Sequence, residues 1–208
     1  AGVGASACAS PGAPAGAAEP PVTEEIVARP ISPSGASKLA GEANWCAFAA
    51  CYGLNAVALR FSNVYGPFSG HKGSVVAAFI RDALAGRPLT VFGDGDQTRD
   101  FVHVEDLARA ILAVATTEDQ VGGEVFQVAT GIETRIADLV DLIRDALAAE
   151  GVDGLSVRHE DPRVGDMKRN FADISKIKAR IGWSPRVELS DGVVGTVRHA
   201  VAGAAPAT

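Results

Sequence analysis

The sequence predicts an α/β fold with a largely parallel sheet. Three observations carry that expectation: short apolar runs of strand length alternate with longer segments of helical period, Gly, Pro, Asp and Asn punctuate the joints, and no stretch repeats another.

Residues 1–33 are rich in Ala, Gly and Pro and show no period before PVTEE, so they read as loop or poorly ordered chain. From Ser34 the pattern changes. SGASKLAGEANWCAFAACYG (34–53) sets small and apolar residues at helical spacing and closes on Gly53, a residue suited to a left-handed helix cap. NAVALRFSNVYG (55–66) reads as a buried strand, GSVVAAFIRDALAG (73–86) as a helix, PLTVFG (88–93) as a strand and GDGDQTRD (93–100) as a loop. DFVHV (100–104) is a short strand, and VEDLARAILAVATT (104–117) is a helix whose first-turn acids suit its positive end. EVFQVAT (124–130) is a strand, TRIADLVDLIRDALAAE (134–150) a helix and LSVRHE (155–160) a strand. DISKIKARIGW (173–183) gives a short helix and LSDGVVGTVRHAV (189–201) the last one.

A chain of 208 residues, 47% apolar and 21% charged, can bury a real core and is not a disordered composition. There is no run of eighteen apolar residues, and the Ala/Gly-rich start lacks a basic n-region, so neither a membrane span nor a signal peptide is expected. Three cysteines, Cys8, Cys46 and Cys51, make no metal-type pattern and leave an odd one over, which suits reduced thiols and a cytoplasmic protein. The net charge of -6 argues against a nucleic-acid surface, which needs clustered excess Lys and Arg. An anionic ligand must therefore meet a local group of arginines.

Several patterns resemble sites without their context. Gly2-Val-Gly4-Ala-Ser-Ala7 imitates a dinucleotide fingerprint, but no strand is expected before it. Gly93-Asp-Gly95 leads into a polar loop and reads as a turn rather than a phosphate cradle. The stretch 66–73 lacks the Gly-Lys-Ser/Thr ending of a phosphate loop, and the four histidines are too dispersed for zinc, so no metal is expected. Ser34 and Lys38 are four apart, one position too many for a Ser-x-x-Lys nucleophile.

Four separated segments, PSGASKLAGE, LRFSNVYGP, GDGDQTRDFVHVEDLARAI and DPRVGDMKRNFADISKIKARIGW, in this order, resemble the extended short-chain dehydrogenase/reductases, in particular the NAD-dependent nucleotide-sugar epimerase/dehydratase branch of the UDP-glucose 4-epimerase kind. The resemblance runs from about Pro21 to about Arg198. It implies the C-terminal part of a Rossmann-like doubly wound parallel sheet plus a smaller α/β substrate-binding domain. Residues 1–33 would be a degenerate, loop-rich remnant of the nucleotide-binding domain, and 34–208 the remaining Rossmann elements interleaved with the sugar-nucleotide domain. The family's glycine fingerprint would precede Ala1, which makes the chain either a fragment or a degenerate copy.

The implied reaction is 4-epimerisation of a UDP-sugar by bound NAD: oxidation at C4, rotation of the keto-sugar and hydride return to the other face. The alternatives are a UDP-sugar decarboxylase or 4,6-dehydratase of the same family, or a silent nucleotide-sugar-binding or dimerisation module. The resemblance also implies a homodimer, because the helix bearing Lys38 packs against its copy in this family and here carries Trp45 and Phe48 among small residues.

In the family, Tyr-x-x-x-Lys places a phenol and an ammonium on one helix face, and the lysine favours the phenolate. A free tyrosine titrates near ~10, so bringing it toward neutrality takes roughly 4 kcal/mol from the lysine and the cofactor's positive charge. Lys38 falls on that catalytic and cofactor-binding lysine, and Ser34 falls on the tyrosine. An aliphatic hydroxyl is a far weaker acid with less reach, so Ser34 is either a poor stand-in or a helix cap. The family's second hydroxyl corresponds to the ASACASPGAP region, where Ser6 or Ser10 could stand in and Pro11 falls at the usual Tyr.

On the substrate side, Asn63 resembles the asparagine that contacts the sugar nucleotide's phosphates, with turn closure as its structural alternative. Arg99 and Arg163 resemble the two arginines that clamp the pyrophosphate, and each could instead pair with Asp100 or Asp166. Asp166 matches the acid that holds the ribose, and Thr90, Val91 and Phe92 match the strand end that meets the uracil. Asn170 matches the position that lines the sugar pocket, where a modest side chain leaves room for an N-acetyl group.

Overall fold

The run from Asn55 to Gly66 is divided between two sheets. Its first part, β2 (Val57–Phe61), lies at the centre of a parallel three-stranded sheet between β1 (Ala5–Ala9) and β7 (Val125–Val128). Its second part, β3 (Asn63–Tyr65), pairs in parallel with β6 (Phe101–His103). The change happens at Ser62, whose N–H still donates to Val128 O at 3.1 Å, whereas the next N–H, of Asn63, donates to Asp100 O at 3.0 Å. One apolar run therefore serves as two strands, a division its continuous pattern did not announce.

The computed structural model describes residues 5–9, 20–30, 33–163 and 166–204. Within residues 1–33 it corrects the expectation of loop, because ASACA forms β1 in register with β2, Ala5 opposite Val57 and Ala9 opposite Phe61. Small residues carry little intrinsic strand preference. The open edge of β2 supplies the ladder, which is tertiary context overriding local propensity.

The helices follow the expected order. α1 (Pro33–Tyr52) contacts β1 and β2 and ends at Gly53, whose φ of 65° and N–H to Ala49 O at 3.0 Å make the expected left-handed stop. α1 begins on Pro33, whose fixed φ suits a first helical residue. Ser34 consequently stands inside the first turn, not at the cap. α2 (Val75–Leu84), α4 (Ile136–Ala149) and α6 (Leu189–Ala204) pack on one another, and α3 (Val104–Thr116) and α5 (Ser175–Ile181) cover the three-stranded sheet. His103 caps α3, its Nδ1 accepting the Glu105 N–H at 3.4 Å.

Four further strands complete the fold. β4 (Leu89–Phe92) and β9 (Val157–Glu160) pair in parallel. β5 (Thr98–Arg99) and β8 (Thr134–Arg135) form a two-residue antiparallel ladder where the sequence suggested loop and helix start. A ladder this short has no period to read.

Two apolar clusters result. One joins Val57, Leu59, Phe126 and Val128 of the three-stranded sheet to Ala110, Val114, Ile177 and Trp183. The other joins Leu89 and Val91 to Phe79, Leu139, Ile143, Leu147, Val193 and Val197. Each fully buried Leu or Ile contributes about 1.5–3 kcal/mol of transfer free energy. Gly192 on α6 is required for this second cluster, because a Cβ there would collide with the Tyr65 ring and hydroxyl.

Buried charges fasten the pieces. Arg60 on β2 meets Glu42 on α1 in a two-pronged pair at 2.8 and 2.7 Å, and Glu24 Oε1 accepts the Gln127 N–H at 2.7 Å, tying 20–30 to β7. Asp106 on α3 is fully buried and accepts the N–H groups of Arg186 and Val187, each at 3.0 Å. Burial alone would raise its pKa, but those two N–H groups and Arg109 hold it below the usual carboxylate range.

Candidate functional site

Arg99 sits at the end of β5, directly before a buried carboxylate that organises its surroundings. Asp100 is 1% exposed. Its carbonyl accepts from the Ser62 hydroxyl at 2.6 Å and from Asn63 Nδ2 at 3.1 Å. Its carboxylate accepts from the Thr130 N–H at 2.9 Å, the Thr130 hydroxyl at 2.7 Å and the Gly131 N–H at 2.9 Å. Burial pushes this carboxyl up, against the opposing pull of those donors. Asp100 is therefore the joint between β3, β5 and the turn after β7, and it does not pair with Arg99. The sequence offered it only as a neighbour for an arginine.

Around this joint the structure brings six of the predicted residues to one cavity of about 250 Å³: Asn63, Thr90, Phe92, Arg99, Arg163 and Asp166. Arg99 Nη1 donates to Thr98 O at 2.6 Å and Met167 O at 2.7 Å, and Nη2 pairs with Asp166. The Arg163 guanidinium carbon stands 3.8 Å from the Phe92 ring centroid. The backbone closes the arrangement, with the Asp166 N–H donating to Arg163 O at 3.1 Å. Positive φ values of 76° at Gly93 and 86° at Gly95 form the turn that returns the chain from β4 toward Arg99, as the sequence suggested.

Two wall residues were missed. Gln97 Nε2 donates to Phe92 O at 2.7 Å and so fixes the strand end. Ser74 stands just before α2 with an extended backbone, and its Oγ is buried without a hydrogen-bond partner among the described residues. A serine preceding an apolar helix was a legible cap signal. That its hydroxyl bonds nothing in the helix and lines the cavity is a tertiary fact.

The other predicted residues lie apart. Ser34 is exposed and Lys38 half-buried in the first two turns of α1, and the Ser37 hydroxyl donates to Ser34 O at 2.9 Å. Ser6 is in β1 with its backbone opposite Ala58, and Ser10 lies outside the described residues. Asn170 is half-buried and does not line the cavity. A larger apolar cavity of about 450 Å³ between the loop after β3, α2 and α6 contains none of the predicted residues. Among the described residues there is no cluster of His, Cys, Asp and Glu that could hold a metal, and no helix is long and apolar enough to cross a membrane.

The arrangement can hold a dianion. Two guanidiniums, an asparagine, a free hydroxyl and the N-terminus of α2 converge where the walls are otherwise Thr90, Val91 and Phe92.

Comparison with known proteins places the chain among sugar-nucleotide enzymes. The model of the NAD dependent epimerase/dehydratase family matches residues 3–129. The UDP-glucose 4-epimerase of Mycolicibacterium smegmatis is 35% identical over 85% of this chain and 55% of its own length. The dTDP-glucose 4,6-dehydratase of Escherichia coli is 34% identical over 86% of this chain and 51% of its own. The crystal structure of the Thermotoga maritima UDP-glucose 4-epimerase with UDP-glucose superposes with a TM-score of 0.85 at 33% identity, covering 96% of this chain and 63% of that one. The α/β fold is thus that of the Rossmann-like epimerases, and the chain spans about half the length of the curated relatives it matches.

Proposed function

The chain belongs to the NAD dependent epimerase/dehydratase family, and from that premise we propose that its cavity binds the nucleoside diphosphate end of a UDP-sugar as part of a 4-epimerase. The observation that carries the reading is that Arg99 and Arg163 line one cavity with Asn63 and Asp166. The fork-shaped guanidiniums serve the two phosphates, Asp166 the ribose hydroxyls, and the end of β4 from Thr90 to Phe92 the base. At about 250 Å³ the cavity is smaller than most ligand sites, and at its wall Arg163 lies against Phe92 and Arg99 against Asp166. Lifting Arg163 from Phe92 and exchanging Asp166 for phosphate on Arg99 enlarges it.

On the redox side, Lys38 is the residue of the described chain that fits NAD, standing half-buried one turn from Ser34. Bound there, NAD would supply the hydride acceptor and donor for C4. Lys38 orients the cofactor and lowers the proton affinity of the group at position 34, and Ser34, a weak acid, limits proton transfer there. The described residues include no glycine-rich strand-to-helix turn that would cradle the dinucleotide phosphates. The similarity to the E. coli dTDP-glucose 4,6-dehydratase supports a second reading within the family, 4,6-dehydration, in which C4 would be oxidised, water lost across C5 and C6 and the hydride returned to C6. A silent nucleotide-sugar-binding module is the third. A homodimer through α1 is part of the proposal, supported by exposed Phe48 and Tyr52, whose rings are 5.5 Å apart.

Calorimetric titration of the 208-residue chain with UDP and UDP-glucose tests the reading. Binding is expected, weakened at least tenfold by Arg99→Ala or Arg163→Ala. A chain that binds neither ligand, or variants that bind as the parent does, would overturn it.

A further inference from the structure

The segment that carries Asp166 has almost no regular structure, yet it must hold a fixed place against β5 for Arg99 and Arg163 to face one ligand. Two backbone-directed bonds help: the Thr98 N–H donates to Lys168 O at 2.8 Å, and Arg99 Nη1 donates to Met167 O at 2.7 Å. Arg99 also pairs with Asp166 itself, and a further fastening is a side-chain device centred on Glu133, the residue before β8. Its carboxylate accepts the Thr98 hydroxyl at 2.6 Å and both Nε and Nη2 of Arg169 at 2.7 Å each.

We infer that Glu133 and Arg169 are a positioning pair for ligand binding, a clasp that sets the Asp166 segment in register with Arg99. The inference rests on the proposed nucleotide site and adds to it the residues that hold its two sides together. Neither residue lines the cavity. Glu133 bridges Thr98, which precedes one clamp arginine, and Arg169, which lies three residues beyond Asp166. The side chains remain 25% and 53% exposed, so an ion pair of this kind adds little to global stability. Its geometry is two-pronged, which fixes direction as well as distance. Arg169 also faces the Phe171 ring at 5.7 Å, which restricts it further. The carboxylate is held far below the usual range, to about 2, by Arg169 and Thr98, so the clasp stays charged at every physiological pH.

The test is a cycle of Glu133→Gln, Arg169→Gln and the double variant in the 208-residue chain, each titrated calorimetrically with UDP and melted by circular dichroism. Each single variant is expected to weaken UDP binding about tenfold with its melting midpoint nearly unchanged, and the double variant to bind no worse than either single. Non-additivity of that kind marks two residues acting as one unit. Single variants that bind UDP as tightly as the parent, losses that multiply in the double variant, or losses that follow a collapsed melting midpoint would each overturn the clasp. A parent chain that binds no UDP would instead take down the site on which the clasp depends.

Discussion

The Arg163 guanidinium rests over the Phe92 ring at 3.8 Å, on the wall of the cavity both residues line. A contact of this type at a partly exposed site is worth about 0.5–1 kcal/mol, weak enough for phosphate to displace and strong enough to keep the arginine near its target. Arg163→Lys keeps the charge but loses the fork, and UDP affinity is expected to fall about tenfold. Phe92→Leu removes the resting place and the ring at the base end but leaves both guanidiniums, and a smaller fall of about threefold is expected. Calorimetry on the two variants separates these outcomes. An equal loss in both would mean that the ring contributes as much to binding as the guanidinium fork.

The Glu42 and Arg60 side chains are 9% and 6% exposed and satisfy each other. Arg60→Leu strands a buried carboxylate and is expected to cost about 3–5 kcal/mol in chemical denaturation. Glu42→Leu combined with Arg60→Leu should recover much of that loss, because two apolar side chains leave no unpaired charge. Urea midpoints with constant slope would measure both.

Acid reveals the clasp in another way. Glu133 is depressed from an ordinary value of 4.5 to about 2 by Arg169 and Thr98, so its contribution is fully present above about pH 4.5 and lost as pH falls through about 2. Because the pair is partly exposed, the difference in urea midpoint between parent and Glu133→Gln should be small, constant near neutrality and lost as pH falls toward about 2. A difference that grows on acidification would contradict the assigned partners.

In the proposed 4-epimerisation, position 34 beside Lys38 sets the rate of proton transfer. The 208-residue chain mixed with NAD⁺ and UDP-galactose is expected to show no epimerisation above background. In a protein that joins this chain to an upstream dinucleotide-binding half, Ser34→Tyr should raise turnover by at least one order of magnitude, since a well-placed general base contributes about 10²–10⁴-fold. Turnover indifferent to that substitution would show that another group takes the proton.

Asn170 lies outside the nucleotide cavity, and its proposed place beside the sugar makes it a test of substrate breadth. A ring at this position should exclude an acetamido group, so Asn170→Tyr is expected to weaken binding of UDP-N-acetylglucosamine at least tenfold more than that of UDP-glucose. Parallel loss of both would place Asn170 away from the sugar.

The order of the longer elements was legible from the chain because helical period, strand-length apolar runs and Gly punctuation are properties of ten to twenty neighbouring residues, as in α2, α3 and α4. The stretches that carry Arg99, Arg163 and Lys38 were legible for a different reason, since their residue types and spacing resemble one family. What only the tertiary structure decided depends on partners remote in sequence. β1 forms because the edge of β2 is open, and the apolar run over 55–66 divides because Asn63 finds Asp100, 37 residues away. Thr130 and Gly131, which secure the Asp100 carboxylate, lie 30 and 31 residues along the chain, and Arg169, which completes Glu133, lies 36. Aspartate and glutamate in polar segments look alike in one dimension. Burial and the hydrogen-bond donors that folding brings to each carboxylate made one a joint of the fold and the other a clasp beside the cavity.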